Sequence, residues 1–345
     1  MSKVAVITGT NSNLGLNIAY RLLEKIPFSE DITIVVTSRT LPRVRECIEL
    51  INKHHSQLER CGVLSFDYVL VDFTDMVSVL DAYNTISKKF NRIDYFFVNA
   101  AQGVYAGIDW IGATKEILAN PVDAVTNPHY KIQKVGIKSN DGMGLVFQVN
   151  VFAPYYLIHK LKPLLQKGNC KLIWVSSLMS DPKYLDFEDL QLLNSDASYE
   201  GSKRLVDILH YATYKDLEKE GIDQYLTHPG IFTSNSFFKF LNLFTYFGML
   251  SIFYVARFLG SPWHNISGYK AANALAYCAT TNTSMLDKEI KYGSATTRTG
   301  KEYLISDKTT QHEDEEVKLV KLFFENLRDE WDIKLKDQIK DTRKI

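Results

Sequence analysis

The sequence lacks the features that mark several classes of protein. Its four cysteines, Cys47, Cys61, Cys170 and Cys278, lie far apart and form no C-x-x-C pair, so neither a disulfide framework nor a cysteine zinc site is expected. The 40 basic and 40 acidic residues cancel, which leaves no basic excess to bind nucleic acid. No signal or transit peptide is apparent. We therefore expect a cytosol-facing protein with reduced thiols, no metal and no nucleic-acid partner.

Apolar runs alternate with helix-like segments over most of the length. The runs lie at 4–8, 32–37, 69–71, 95–98, 172–175 and 224–227. Strands that are apolar throughout and separated by helices indicate a parallel sheet covered on both faces. This predicts an α/β fold, a doubly wound parallel sheet of the Rossmann type, whose ligands bind at the carboxyl ends of the strands. We expect one dinucleotide-binding catalytic domain at 1–310 and an amphipathic helical extension at 311–345.

The first predicted strand ends in a glycine-rich turn, TGTNSNLG at 8–15, where a helix begins. Backbone N–H groups of such a turn can approach a pyrophosphate, and the helix dipole favours its charge. The segment resembles the T-G-x-x-x-G-x-G turn of short-chain dehydrogenases/reductases, with Asn13 replacing the second glycine. Asparagine suits that place because it tolerates a left-handed backbone. The resemblance implies cofactor contacts by Gly9, Asn11, Asn13, Leu14 and Gly15.

The end of the second strand favours NADP(H) over NAD(H). A carboxylate there would bind the ribose 2′-hydroxyl of NAD, but this chain has Ser38 and Arg39, and an arginine suits a 2′-phosphate. The alternative is that Arg39 is only a surface residue on a loop. The resemblance adds three cofactor contacts: Asp72 beside the adenine, and Asn99 and Ala100 after the fourth strand.

The spacing Tyr-x-x-x-Lys occurs three times, and only its position identifies a catalytic pair. It is found at Tyr130/Lys134, Tyr199/Lys203 and Tyr211/Lys215. Residues i and i+4 share one face of a helix, so both side chains reach the same place. Tyr199 is the tyrosine that follows the strand ending in Ser176-Ser177, with small residues before its lysine. We therefore predict Tyr199 and Lys203 as the pair.

A tyrosine and a lysine together suit carbonyl reduction. The carbonyl oxygen must gain a proton as hydride reaches carbon, and a free tyrosine has a pKa of about 10, which a nearby ammonium would lower. The resemblance implies that Lys203 also binds the nicotinamide ribose and that Ser177 binds the substrate oxygen, with Ser176 as the alternative. It implies that Asn150 holds a water that relays protons. Taken singly, Asn150 would be a helix residue with local hydrogen bonds.

A Pro-Gly turn follows the next strand. Alone it predicts only a turn. The resemblance implies that Pro229, Gly230, Ile231 and Thr233 lie against the nicotinamide, with the backbone after the turn and the threonine hydroxyl holding its carboxamide.

Three segments exceed the minimal family pattern: an insertion at about 104–140, the interval from Ser177 to Tyr199 and an apolar lid at about 231–264. The lid contains a run without charge, 240–256, which is short for a bilayer span of about 20 residues and lies inside one domain. A membrane-spanning helix is therefore rejected. The run is interpreted either as a buried lid helix or as an apolar lid that dips into a lipid surface. Both interpretations predict a large apolar substrate.

These segments narrow the resemblance to the fungal 3-keto-steroid reductases of ergosterol synthesis. It extends over nearly the whole chain and is carried by 8–16, 37–42, 98–103, 109–112, 180–184, 198–206, 244–250 and 260–265. It implies NADPH-dependent reduction of a 3-keto sterol intermediate to the 3β-alcohol during C-4 demethylation. It also implies a peripheral, cytosol-facing place at the endoplasmic reticulum membrane and lipid droplets. The partners implied are the sterol substrate, the other C-4 demethylation enzymes and oxidosqualene cyclase. The alternatives are reduction of another lipophilic ketone or aldehyde, such as retinal, and a reductase-like scaffold in a lipid-enzyme complex.

Overall fold

The structure, a computed structural model, describes residues 2–234, 241–308 and 312–338. Its strands are β1 (Lys3–Ile7), β2 (Ile32–Ser38), β3 (Leu64–Leu70), β4 (Tyr95–Val98), β5 (Tyr105–Ile108), β6 (Lys131–Gln133), β7 (Lys171–Val175), β8 (Asp223–His228), β9 (Ile231–Phe232), β10 (His264–Ile266), β11 (Ile290–Thr296) and β12 (Glu302–Lys308). Its helices are α1 (Asn13–Lys25), α2 (Leu41–His55), α3 (Met76–Lys89), α4 (Trp110–Ala119), α5 (Pro121–Thr126), α6 (Leu145–Phe147), α7 (Ala153–Gly168), α8 (Ser198–Lys219), α9 (Leu243–Phe258), α10 (Gly268–Ala271), α11 (Asn273–Thr280) and α12 (Asp314–Lys334). A π-helical turn, Gln148–Phe152, joins α6 to α7.

The central sheet has eight strands in the order β12-β11-β8-β7-β4-β1-β2-β3. Strands β1 and β4 are neighbours, and the chain winds outward from them in both directions, which confirms the predicted doubly wound fold. Its ligand crevice is expected at this switch point, outside the carboxyl ends of the strands. The predicted parallel sheet carries one antiparallel strand at its edge, where β12 pairs with β11. A tight turn connects these two strands, with Gly300 at φ 84°, and such hairpin connections join antiparallel strands.

The apolar strands are buried because helices cover both faces of the sheet. In β1, Val4 and Val6 pack into one core cluster while Ala5 and Ile7 pack into the other. This alternation is the period of two that a strand imposes on its side chains.

The helical extension packs on the domain that precedes it. Val320, Phe324, Leu327 and Trp331 of α12 are buried in the cluster that also contains residues of α7 and α8. The ring of Phe324 meets that of Tyr155 edge-on, with 5.1 Å between the centroids. The predicted helical character of the extension is confirmed.

The insertion and the lid form a separate layer at the carboxyl ends of the strands. Strands β5 and β6 pair as an antiparallel hairpin, with α4 and α5 between them. Val125 of α5 shares a small apolar cluster with Phe253 and Ala256 of α9 and with Ile266. Among the helices described, none is both long and apolar enough to cross a membrane.

Candidate active site

A cavity of about 570 Å³ lies between the ends of the strands and the layer formed by the insertion and the lid. Its size is typical of a small-molecule site. Residues predicted for the cofactor and for catalysis line it together with residues of the insertion and α9. The predicted residues that line it are Asn13, Leu14, Asn99, Ser177, Tyr199, Lys203, Pro229, Gly230, Ile231 and Thr233.

Side-chain hydrogen bonds fix the conformation of the glycine-rich turn. Gly9 adopts φ +64°, a left-handed conformation that suits glycine. The Asn99 amide donates to the carbonyl of Thr8 at 2.8 Å and to the Ser12 hydroxyl at 3.1 Å, and the Thr8 hydroxyl accepts from the N–H of Ala100 at 2.9 Å. Asn99 and Ala100 thus fix the shape of the turn from the neighbouring strand.

The role of Asn13 in the turn differs from the one that the sequence suggested. It is the first residue of α1 and has no positive φ, so its tolerance of a left-handed backbone is not used. Its amide instead donates to the Thr233 carbonyl at 2.7 Å. Asn13 therefore joins the glycine-rich turn to the Pro-Gly turn.

The end of β2 can accept a 2′-phosphate. Ser38 is buried, whereas Arg39 is exposed, and among the described residues its guanidinium has no hydrogen-bond or ion-pair partner. The Asp72 carboxylate is already bonded to the N–H and hydroxyl of Thr74, at 3.0 and 2.8 Å. The free arginine, the left-handed Gly9 and the N-terminus of α1 fit NADP(H).

Tyr199, Lys203 and Ser177 meet at the wall of the cavity. The Lys203 ammonium donates to the Val175 carbonyl at 2.8 Å and lies 5.6 Å from the centre of the Tyr199 ring. The Ser177 oxygen accepts from the N–H of Met179 at 3.1 Å, which leaves its own proton available. The Ser176 hydroxyl is used elsewhere, since it donates to Asp207 at 2.5 Å. The geometry therefore favours Ser177 over Ser176 as the serine that meets the substrate.

The expected lowering of the tyrosine pKa is wrong. Burial, with a contribution from the Glu200 carboxylate, raises the pKa of Tyr199 to about 12. Burial also lowers the pKa of Lys203 to about 8, with Asp207 opposing and Lys291 reinforcing that change. Burial disfavours both charged forms, and the ammonium is directed to a backbone carbonyl, not to the phenol.

The other two Tyr-x-x-x-Lys pairs serve no common site. The Tyr211 hydroxyl donates to the carbonyl of Glu289 at 2.9 Å, on the outer side of α8. Tyr130 does line the cavity, but it stands just before β6 and not on a helix, so the i, i+4 argument does not apply to it.

Asn150 belongs to the π-helical turn, a feature that is frequent at functional sites. Its oxygen accepts from the N–H of Gln102 at 2.7 Å, and its amide donates to the carbonyl of Gln102 at 3.1 Å and to the Ser202 hydroxyl at 2.9 Å. These bonds are long-range, so the local-bond interpretation is wrong. Asn150 ties the loop after β4 to α8, and the relay water stays a prediction.

The Pro-Gly turn corrects one predicted contact. Gly230 adopts φ +65°, and a Cβ there would lie 2.6 Å from both the Asn265 amide and the Trp263 carbonyl. The N–H of Ile231 donates to that same carbonyl at 2.7 Å, so it cannot also hold a carboxamide. The Thr233 hydroxyl donates to the carbonyl of Ile266 at 3.1 Å, which leaves it only as an acceptor.

A buried ion pair that the sequence did not reveal lies beneath the site. The ammonium of Lys291 on β11 contacts the carboxylate of Asp207, and both side chains are buried. Asp207 also accepts from Ser180 at 2.7 Å, and Lys291 donates to the Ser177 carbonyl at 3.3 Å. The pair thus anchors the segment that carries Ser177. The i+4 spacing of Asp207 from Lys203 was the available signal, whereas nothing in the sequence links Lys291 to it.

The substrate side of the cavity is apolar. Ile108, Ala113, Ile117 and Val125 of the insertion face Met249, Ile252 and Phe253 of the lid helix. Trp110 and Phe244 line the cavity and are also exposed, at 49% and 87%, so the cavity reaches the surface near them.

Comparison with known proteins places this geometry in a family. The short chain dehydrogenase family profile matches residues 3–240. A 3-keto-steroid reductase of Kluyveromyces lactis is 64% identical over 99% of this chain and 98% of its own length, and one of Saccharomyces cerevisiae is 58% identical over 99% and 98%. Among solved structures, YwfH, an NADPH-dependent reductase of bacilysin biosynthesis, superposes with a TM-score of 0.57 at 13% identity, covering 84% of this chain and 95% of that one.

Proposed function

This chain belongs to the short-chain dehydrogenase family, and we propose that it reduces the 3-keto group of a sterol intermediate to the 3β-alcohol with NADPH, as a step of C-4 demethylation in ergosterol synthesis. The observation that carries the proposal is one cavity in which Tyr199, Lys203 and Ser177 stand at one side and an apolar wall at the other. The name of the relatives, 3-keto-steroid reductase, supports the choice of substrate.

The roles of the residues follow from their positions. NADPH, when bound, supplies the hydride. The Ser177 hydroxyl would donate to the substrate oxygen and stabilise its developing charge. Tyr199 would give that oxygen its proton, since a phenol with a raised pKa is fully protonated near neutrality. Lys203, with a pKa of about 8, is largely charged at neutral pH and would favour the phenolate left behind.

The deciding experiment is anaerobic turnover of a 4-methyl 3-keto sterol with NADPH and with NADH. We expect reduction to the 3β-alcohol and a preference for NADPH. Retinal and a long-chain ketone in the same assay test the alternative substrates. Turnover of these with none of the sterol would overturn the substrate, and a preference for NADH would overturn the role of Arg39.

We also propose that the lid helix, α9, binds to a lipid surface. Its outward face carries Leu243, Phe247, Val255 and Phe258, and no charged residue precedes Arg257 on the helix. A surface helix normally places charged residues on that side. Ile111 and Leu118 of α4 add exposed apolar area beside the cavity. An interfacial helix of this kind fits a peripheral, cytosol-facing place at the endoplasmic reticulum and lipid droplets.

Vesicle co-sedimentation tests this part. Phe258→Ser is expected to weaken binding to phosphatidylcholine vesicles, and Met285→Ser is its control, because both side chains are 72% exposed but Met285 lies outside the lid helix. Equal binding by both variants would contradict a lid-specific lipid contact.

The family resemblance further favours association with other C-4 demethylation enzymes and with oxidosqualene cyclase. Co-purification of the wild type and of Tyr199→Phe would test whether such a scaffold role is separable from reduction. Capture of neither partner by the wild type would contradict it.

A further inference from the structure

The helix that carries the catalytic tyrosine lacks a cap of its own. Helix α8 begins at Ser198, and the residue before it, Ala197, has no side chain that can accept a hydrogen bond. The first N–H groups of a helix need an outside acceptor. Here the acceptor is the side chain of Gln133, at the end of β6 in the insertion. Its oxygen accepts from the N–H of Tyr199 at 3.0 Å and from the Ser198 hydroxyl at 3.2 Å.

The other end of the same side chain holds a carboxylate. The Gln133 amide donates to Glu200 at 2.5 Å, and Glu200 is buried. One glutamine thus contacts three consecutive residues centred on Tyr199. Burying a carboxylate costs free energy unless a hydrogen-bond donor meets it, and the Gln133 amide is such a donor.

Gln133 stands on the β5–β6 hairpin, other residues of which line the substrate cavity. Its strand partner is Tyr105, directly opposite in the β5–β6 hairpin, and the Tyr105 ring lies 6.4 Å from the Tyr199 ring. Lys131, on the same strand, lines the cavity. A substrate that presses on the insertion therefore acts on the hairpin that holds the start of α8.

We propose that Gln133 is a positioning residue that couples the substrate wall to the catalytic tyrosine, by capping α8 at Tyr199 and by holding Glu200 beside it. This inference rests on the proposed reductase function. The titratable groups that face Tyr199 are Glu200 and Lys203 from α8 and Tyr105 from β5, and Lys131 of β6 interacts with Glu200.

The test exchanges the amide of Gln133 and the carboxylate of Glu200 between the two positions. Alcohol oxidation needs the phenolate, so its rate rises with pH as Tyr199 loses its proton. Gln133→Glu keeps the acceptor for α8 but adds a negative charge near Tyr199. We therefore expect the rising limb of the pH–rate profile for alcohol oxidation to move to higher pH by about half a unit or more. Adding Glu200→Gln to that variant again leaves one amide and one carboxylate, with their positions exchanged. The rising limb should then return toward its wild-type pH.

Gln133→Leu removes both contacts and is expected to lower kcat by about tenfold, with NADPH affinity unchanged in a fluorescence titration. Gln191→Leu is the matched control. Its oxygen also bridges two loops, at 3.2 Å from the N–H of Gly144, but among the described residues it makes no hydrogen bond to the start of α8. If the Gln133→Glu limb does not move, or the exchange does not restore it, the inference is overturned. Absence of sterol turnover by the wild type would instead overturn the proposed function, since the limb can be followed with any alcohol the enzyme oxidises.

Discussion

The two sides of the cavity use apolar residues in opposite ways. On the cofactor side, apolar strands such as β1 and β4 are covered on both faces, and the site is made by turns that close hydrogen bonds hold in place. On the substrate side, the cluster shared by α5 and α9 has four buried members among the described residues, Val125, Phe253, Ala256 and Ile266, while other apolar residues of the lid helix stay exposed. On the cofactor side the apolar surface is buried in the core. On the substrate side much of it lines the cavity or stays exposed.

Breaking the buried ion pair should cause the largest loss of stability. Lys291→Met leaves the Asp207 carboxylate buried without its partner, which costs about 3–5 kcal/mol. Urea unfolding measures the change. Glu46→Gln, which removes the exposed Arg43–Glu46 pair, is the control and should change the unfolding free energy by less than about 1 kcal/mol.

The double variant Asp207→Leu with Lys291→Met should lose less than either single change, because no charge is then left unpaired. If Lys291→Met unfolds at the same urea concentration as the wild type, the pair does not hold the cofactor side together.

Removing the Arg39 guanidinium at the end of β2 should change cofactor binding alone. Arg39→Ala is expected to weaken NADPH binding 10- to 100-fold, the loss of about 1.5–3 kcal/mol that a hydrogen bond to a charged group contributes. NADH binding should not change. Fluorescence titration of both cofactors measures this, and an equal loss for the two would show that Arg39 does not read the phosphate.

Replacing a glycine by alanine should change protein stability in opposite directions on the cofactor side and the substrate side of the cavity. Gly230→Ala should destabilise the protein by about 1–3 kcal/mol, because φ is +65° and the new methyl would lie 2.6 Å from its neighbours. Gly248→Ala, in the lid helix with no atom within 4 Å of the new methyl, should stabilise by up to about 1 kcal/mol. Thermal unfolding compares them. Equal signs would contradict the contrast between the two sides.

The sequence signals on the cofactor side are local. A turn between a strand and a helix, a strand end and an i, i+4 pair each lie within a few residues, and they located Gly9, Arg39, Tyr199 and Lys203 in the chain. The doubly wound sheet followed from the apolar runs alone.

The contacts that tune the site could not be predicted, because they join distant segments. Lys291 reaches Asp207 from β11, a strand next to the edge of the sheet that the apolar runs did not predict. Gln133 caps α8 from inside the insertion. The pKa of Tyr199 is raised by burial and by Glu200, which spacing does not report, so the expected net lowering was wrong.

Single-turnover reduction of a 3-keto sterol by Tyr199→Phe, with NADPH bound beforehand, tests the central claim most directly. If the phenol supplies the proton, the rate should fall by about 100-fold or more, while NADPH affinity and the unfolding temperature stay close to those of the wild type. A rate within a few-fold of the wild type would contradict the assignment of Tyr199 and the reaction proposed for this cavity.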